Sequence, residues 1–360
     1  MEEAIYSVIT GTGSYLPERI VPNKDFLLNT FYDSNGKIIE TNNLDIINKF
    51  EKITNISERR YVTDDLVTSE IAAIAAERAI KSSNTDSETL DYIIVAHNFG
   101  DIKANNRKTD IVPSLAARVK AKLGIKNPNT ICYDVIFGCP GWLQGVIQAN
   151  YYIKSGDAKK VLVIGAETLS RVSDPFDRDS MIYSDGAGAT IFEGKSNPEP
   201  IGILSHSSRS DTFDYVNLLG MDKSYNPNWD TSDIFLKMNG RKLYEYALNY
   251  VPALVKCCIE KAKLTLTKIN KVLIHQANGK MDEAILQRLF KLFNLDKTNP
   301  NVMPMTINKI GNNSVASIPI LLDLILNGKL ENQKISPMDN IVFASVGAGM
   351  NINAITYRAV

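Results

Sequence analysis

The sequence predicts an α/β protein organised as a duplicated, layered fold. Strand-like apolar runs alternate with helix-like amphipathic segments through both halves of the chain. The runs YIIVA (92–96) and VLVIGA (161–166) are apolar without alternation, as in strands covered on both faces. A turn-rich segment, GKSNPEP at 194–200, divides the 360 residues almost in half, giving expected halves of 1–194 and 195–360.

The first strand is expected over 4–10. It runs into GTGSYLP (11–17), an incomplete G-x-G pattern with Leu16 where a third glycine would stand, so a plain glycine turn is the better reading. Residues 23–65 read as polar and irregular, with an insertion-like piece at 32–36. A helix follows at 68–82, where Ile71, Ala72, Ala75, Ala79 and Ile80 share a face and Thr68 or Ser69 can cap it. A buried strand is expected over 90–96, and a helix over 113–123 ending at Gly124. Next come a short strand from Cys132, a Gly-Cys-Pro-Gly turn at 138–141 and a helix to about 155. A strand at 160–166 and a short strand closing 183–192 complete this half. The second half opens with a strand at 201–206 and a polar loop at 211–230. A long helix at 238–262 is kinked or split by Pro252. A strand at 272–275, helices at 280–293 and 315–326, and strands at 341–345 and 351–357 complete the chain.

Composition narrows the function. Apolar residues make up 44% and charged residues 22%, and Lys+Arg equals Asp+Glu at 40 each. Nothing in that balance calls for nucleic acid or an anionic membrane surface. The four cysteines, Cys132, Cys139, Cys257 and Cys258, have no metal-ligand or disulfide-framework spacing, which fits a reducing cytoplasm. The start at Met1, Glu2 and Glu3 lacks the basic region of a secretory leader, and the apolar run at 318–326 is too short to span a bilayer.

Four places can carry chemistry. Cys139 stands before Pro140 at a helix N-terminus, where unpaired N–H groups and the helix dipole would lower a thiol pKa. It is otherwise a small buried hydrophobe. His275 ends the apolar run Val272, Leu273, Ile274, at a strand end, and is as readily a core histidine as a catalytic one. Asn312 follows Gly311 before a helix and is either a cap or a neutral donor to an oxyanion. Gly347, Ala348 and Gly349 form either a turn or a source of backbone N–H donors.

In this order these segments resemble the type III β-ketoacyl-acyl-carrier-protein synthases, among the thiolase-like condensing enzymes. The likeness covers nearly the whole chain: GTGSYLP (11–17), ERR (58–60), SDGAG (184–188), HQAN (275–278), GNNSVASIP (311–319) and GAG (347–349), after the upstream Cys139. It implies a thiolase-like duplicated αβαβα five-layer fold, a homodimer, and a catalytic triad of Cys139, His275 and Asn312. Backbone N–H groups of Cys139 and the 347–349 loop would hold the oxyanion. The implied reaction is a decarboxylative Claisen condensation. An acyl group on Cys139, from acyl-CoA or acyl-acyl-carrier protein, joins a malonyl thioester on carrier protein, with no metal or cofactor. An acyltransferase or thioester hydrolase without decarboxylation is the alternative, and a non-catalytic carrier-binding subunit a third reading.

The departures bear on substrate. Lys49 and Ile53 stand where the initiating enzymes of this family carry a Trp and an Arg that clasp coenzyme A, which points to an acyl donor on carrier protein. Lys280 is the expected carrier-docking cation, while Glu245 replaces a second one. Val112, before Pro113 and Ser114, is smaller than the Phe of short-chain enzymes and predicts a deeper acyl pocket. The FGCPGW turn (137–142) and the insertion at 32–36 suggest a specialised branch of lipid or polyketide metabolism.

Overall fold

The computed structural model describes residues 4–229, 232–295 and 301–360. Met1, Glu2 and Glu3, read above for the lack of a leader, and Asp230, the end of the expected polar loop, lie outside the described residues.

Two sheets form the frame. The first orders its strands Ile5–Tyr15, Asp185–Ser196, Lys160–Thr168, Tyr92–Ala96, Ile131–Val135. The last three run parallel to one another, and the two longest strands pair antiparallel. The second orders Gly202–Ser210, Asn351–Arg358, Asn340–Gly347, Lys271–Ile274. Counted within each half, both sheets place the first strand beside the last, then the next-to-last, then the second. The duplication that no sequence repeat betrays is therefore present in the topology.

Helices Gly141–Ser155 and Ser317–Leu326 lie between the sheets. One core joins Trp142, Val146 and Ile147 to Leu321 and Ile325 and to Phe343 and Ile355 of the second sheet. Ser317–Leu326, buried between two sheets, accordingly reads as apolar on nearly every face. Thr68–Ser83 and Leu115–Lys122 cover the outer face of the first sheet, and Gly240–Lys261 with Gly279–Leu292 that of the second. Five layers result, as expected. The SDGAG motif explains one close approach: a Cβ on Gly188 would lie 2.7 Å from Ile320 N and 2.8 Å from Pro319 Cβ, so only glycine lets that helix rest on the strand.

The structure departs from the expected elements in several places. Residues 23–65 are not irregular: they contain helix Asn43–Thr54, capped by Asn42 and ended at Asn55 (φ 62°), burying Ile46, Ile47 and Phe50. A hairpin pairs Asp101–Lys103 with Asn106–Asp110. The loop expected at 211–230 contains strand Leu219–Asp222, which pairs with Phe235–Met238, so the long helix begins only at Gly240. That helix is one piece through Pro252. The carbonyl of Leu248, which Pro252 cannot serve, accepts instead from Arg288 Nη1 at 3.0 Å, and burial of Val251, Val255 and Ile259 offsets the rest of the cost. Finally, Asp185–Ser196 is a long strand that runs past Gly194, so the turn between the halves begins at 197. No helix among the described residues is long and apolar enough to cross a membrane.

Candidate active site

The ends of the central elements meet at one cavity of about 1140 Å³ with mostly apolar walls. Cys139, His275, Asn312 and Gly347, Ala348 and Gly349 all line it. The topology brings them there. Cys139 follows a first-sheet strand and precedes the first central helix, which starts at Gly141 with Pro140 just before it. Asn312 precedes the second central helix. His275 follows strand Lys271–Ile274, and its N–H donates to Ala344 O at 2.8 Å. The neighbouring strand, Asn340–Gly347, delivers the glycine loop.

That loop is pressed against the cysteine turn. A Cβ on Gly347 would lie 2.4 Å from Cys139 N and 2.9 Å from Cys139 Cβ, contacts no larger residue could make. Asn312 is held by its backbone: its N–H donates to Ile182 O, and its carbonyl accepts from Ser184 N. Its Oδ1 accepts from Ser314 N at 2.8 Å, which leaves Nδ2 as the group free to donate. Asn313 does not cap the following helix; its Nδ2 donates to Asp185 O. Gln276 ties the histidine strand to the adjoining loop, with Nε2 on Pro304 O and Oε1 accepting from Thr306 N and Ile307 N. Asn278 caps the helix that follows.

The electrostatics correct one expectation. Burial pushes the Cys139 thiol up to about 11. The Ser314 hydroxyl, donating to Sγ at 3.4 Å, acts the other way, and the Glu167 carboxyl adds to the rise. The helix N-terminus alone suggested a lowered pKa; desolvation by the apolar cavity walls acts in the opposite direction. Burial also lowers His275 to about 4, and neither ring nitrogen has a partner among the described residues. The imidazole is therefore neutral at physiological pH and can donate one N–H into the cavity.

One site expectation falls outside the cavity. Val112 does not line the cavity of its own chain; it is 83% exposed, on the segment before helix Leu115–Lys122. Lys280 is exposed, on a helix whose Asn278 and Met281 reach the cavity wall. Glu245 lies on the wall and pairs with Arg241 one turn earlier at 3.1 Å, so a cation does occupy this face.

Sequence reasoning picked out Lys49 and Ile53 but missed the helix that carries them. Helix Asn43–Thr54 presents Asp45, Ile46, Lys49, Phe50 and Ile53 to the cavity. Its signal was present in the spacing of Ile46, Ile47 and Phe50, masked by Asn, Asp and Lys around them. Asn98, Ser314 and Glu167 were also missed. Glu167 could have been noticed as a carboxylate at the end of an otherwise apolar strand.

The duplicated five-layer fold, with its cavity at the ends of the central elements, places the protein in the thiolase-like class. Family models for 3-oxoacyl-[acyl-carrier-protein (ACP)] synthase III match residues 133–212 and, for the C-terminal part, 259–359. The chain is 33% identical over 351 residues to the β-ketoacyl-[acyl-carrier-protein] synthase III of Staphylococcus aureus (strain Newman), covering 97% of this chain and 98% of that protein. Among solved structures it is similar to the synthase III of Thermus thermophilus (TM-score 0.80, 28% identity, 98% of this chain and 99% of that one). The 3-oxoacyl-[acyl-carrier-protein] synthase III of Aquifex aeolicus is comparable (TM-score 0.77, 30% identity, 98% and 99%). The chain belongs to the β-ketoacyl-[acyl-carrier-protein] synthase III family.

Proposed function

We propose that the protein is an acyltransferase that condenses a Cys139-bound acyl group with a malonyl thioester on acyl carrier protein, in fatty-acid or polyketide-type lipid synthesis. The observation that carries this is the convergence of Cys139, His275, Asn312 and the Gly347 loop on one apolar cavity.

Sulfur of Cys139 attacks the acyl thioester carbonyl. Backbone N–H groups of Cys139 and of the 347–349 loop hold the tetrahedral oxyanion. The donor thiol leaves with the proton that Cys139 loses, so acylation is a thiol–thioester exchange with no net proton change. The high thiol pKa keeps the sulfur protonated until a donor arrives. Malonyl thioester then enters and its C–C bond to the carboxylate breaks, releasing CO₂. The electron pair moves into an enolate whose oxygen takes hydrogen bonds from His275 and Asn312 Nδ2, both stronger to the enolate than to the ground-state carbonyl. The enolate carbon attacks the acyl-Cys139 carbonyl. Cysteine sulfur departs and takes up one proton, and the β-ketoacyl thioester is released. A second group donating to the same oxygen is what decarboxylation needs and simple acyl transfer does not, which favours condensation over transfer or hydrolysis.

The cavity mouth carries Lys49 and Ile53 in place of a Trp–Arg clasp, which favours an acyl donor on carrier protein, with Lys280 beside the mouth as docking cation. Among the described residues the strand Ile131–Val135 pairs on one side only, and Ile111, Val112, Ile131 and Ile136 are exposed near it, which supports a homodimer across this edge. Ile136 also lines the cavity, so a partner's Val112 could help close it. Each sheet draws its strands from one half of the chain, which supports two like halves meeting near 197–201. Four free cysteines suit the cytoplasm.

The test is to offer acyl-CoA and acyl-carrier protein of several chain lengths and weigh the peptide that contains Cys139. Malonyl-carrier protein is then added and CO₂ measured. Acylation followed by CO₂ release is expected. Acylation without CO₂ would support transfer or hydrolysis, and no acylation would refute both.

A further inference from the structure

We propose that Glu167 is a positioning residue that acts through Asn98 and Ser314 to keep a hydrogen-bond donor on the sulfur of Cys139. This rests on the reading of Cys139 as the acyl carrier. Glu167 ends strand Lys160–Thr168 and is 1% exposed. Its Oε1 accepts from both the backbone N–H and the side-chain Nδ2 of Asn98, each at 2.7 Å. The same Nδ2 stands 3.3 Å from Ser314 Oγ, to which its second hydrogen can be donated. A hydroxyl that accepts from Asn98 has a single hydrogen left, and Ser314 Oγ directs it to Cys139 Sγ at 3.4 Å.

The chain runs in one direction because Glu167 fixes which end of the Asn98 amide faces Ser314. With the amide turned over, Oδ1 would face the hydroxyl and attract its hydrogen away from the sulfur. The orientation is held although Asn98 Oδ1 and Glu167 Oε2 have no hydrogen-bonding partner among the described residues. A purely structural carboxylate would be expected to satisfy both oxygens. Ser314 is itself fixed, with φ at 49° and its N–H on Asn312 Oδ1. The arrangement thus links the nucleophile to Asn312 through one residue. Burial holds the Glu167 carboxyl up at about 8, and Asp185 is the other acid whose charge acts on it. At neutrality Glu167 therefore orients Asn98 without setting a full negative charge beside the thiol.

The test reads sulfur reactivity directly, as the rate at which iodoacetamide alkylates Cys139 across a pH series. Glu167→Gln keeps an oxygen for Asn98 and Glu167→Leu does not, while both remove the charge. The Gln variant is expected to alkylate about tenfold faster than the Leu variant, the scale of losing one donor to an ionising group. In a Ser314→Ala background the two should alkylate alike. Equal rates for Gln and Leu in the presence of Ser314, or an undiminished difference without it, would overturn the proposal. If Glu167→Leu does not fold, Asn98→Ala serves in its place: it should slow alkylation alone and add nothing to Ser314→Ala, and additivity would overturn the proposal. Failure of the unmodified enzyme to take an acyl group on Cys139 would refute the reading of the site, whereas these alkylation rates test the relay alone.

Discussion

Gly347→Ala is the substitution whose effect follows most directly from the geometry. The added methyl would lie 2.4 Å from Cys139 N, 2.9 Å from Cys139 Cβ and 2.9 Å from Pro140 Cδ. Ordinary contacts of this kind are about 3.5–4 Å, so the two segments must part by roughly 1 Å. Two of those neighbours belong to the cysteine turn itself, and the third to the proline ring that follows it, so none is a flexible side-chain end. A misplacement of about 1 Å at a reacting centre costs on the order of 100-fold in rate. Overpacking a close contact costs about 1–3 kcal/mol of stability. Acylation of Cys139 should therefore fall about 100-fold, while the melting temperature falls by only several degrees. Stopped-time mass measurement of the acyl-enzyme and a thermal scan on the same sample give both numbers. Acylation at the normal rate would refute the claim that this loop and the cysteine turn form one oxyanion-binding unit.

Other outcomes follow from the same account. His275→Ala should leave acylation within a fewfold of normal and slow CO₂ release from malonyl-carrier protein by about 100- to 1000-fold, the scale of one lost oxyanion donor; equal losses in both steps would contradict the division of roles. The thiolate is the reactive form of Cys139, and its pKa is raised to about 11. Alkylation without substrate should therefore keep climbing with pH through about 9, with only about one thiol in 10⁴ ionised at pH 7; a plateau below pH 9 would contradict it. Ile131→Lys, on the open sheet edge, should yield a monomer by sedimentation if the chain pairs through that edge, and an unchanged dimer would place the interface elsewhere.

Much of the fold could be read because its central elements are apolar on all sides. The strands Tyr92–Ala96 and Lys160–Thr168 carry that mark in their composition alone. Helix Asn43–Thr54 escaped notice because it has only a narrow buried stripe and lies over the cavity, with Lys49 and Asp45 kept at the mouth. The strand Leu219–Asp222 is mostly exposed and exists by pairing with Phe235–Met238, a long-range partner that local pattern does not specify. At the site, residue types and turn chemistry pointed to Cys139, His275 and Asn312 singly. Their convergence depends on two sheets stacking around shared helices, which no local spacing encodes. The desolvation of the thiol was missed for the same reason: the helix terminus is local, but the desolvating walls come from both halves of the chain. Val112 was placed in the pocket on likeness of position, whereas in a single chain that position faces outward.

The central claim is that Cys139 carries an acyl group which an enolate formed in the same cavity attacks. Enzyme pre-acylated to a known extent, freed of donor and mixed with carboxyl-labelled malonyl-carrier protein, tests it in one turnover. The account predicts one labelled CO₂ and one β-ketoacyl thioester for each acylated Cys139, with the thiol regenerated and no product from Cys139→Ala. CO₂ released without loss of the acyl group from Cys139, or acyl loss without CO₂, would contradict it.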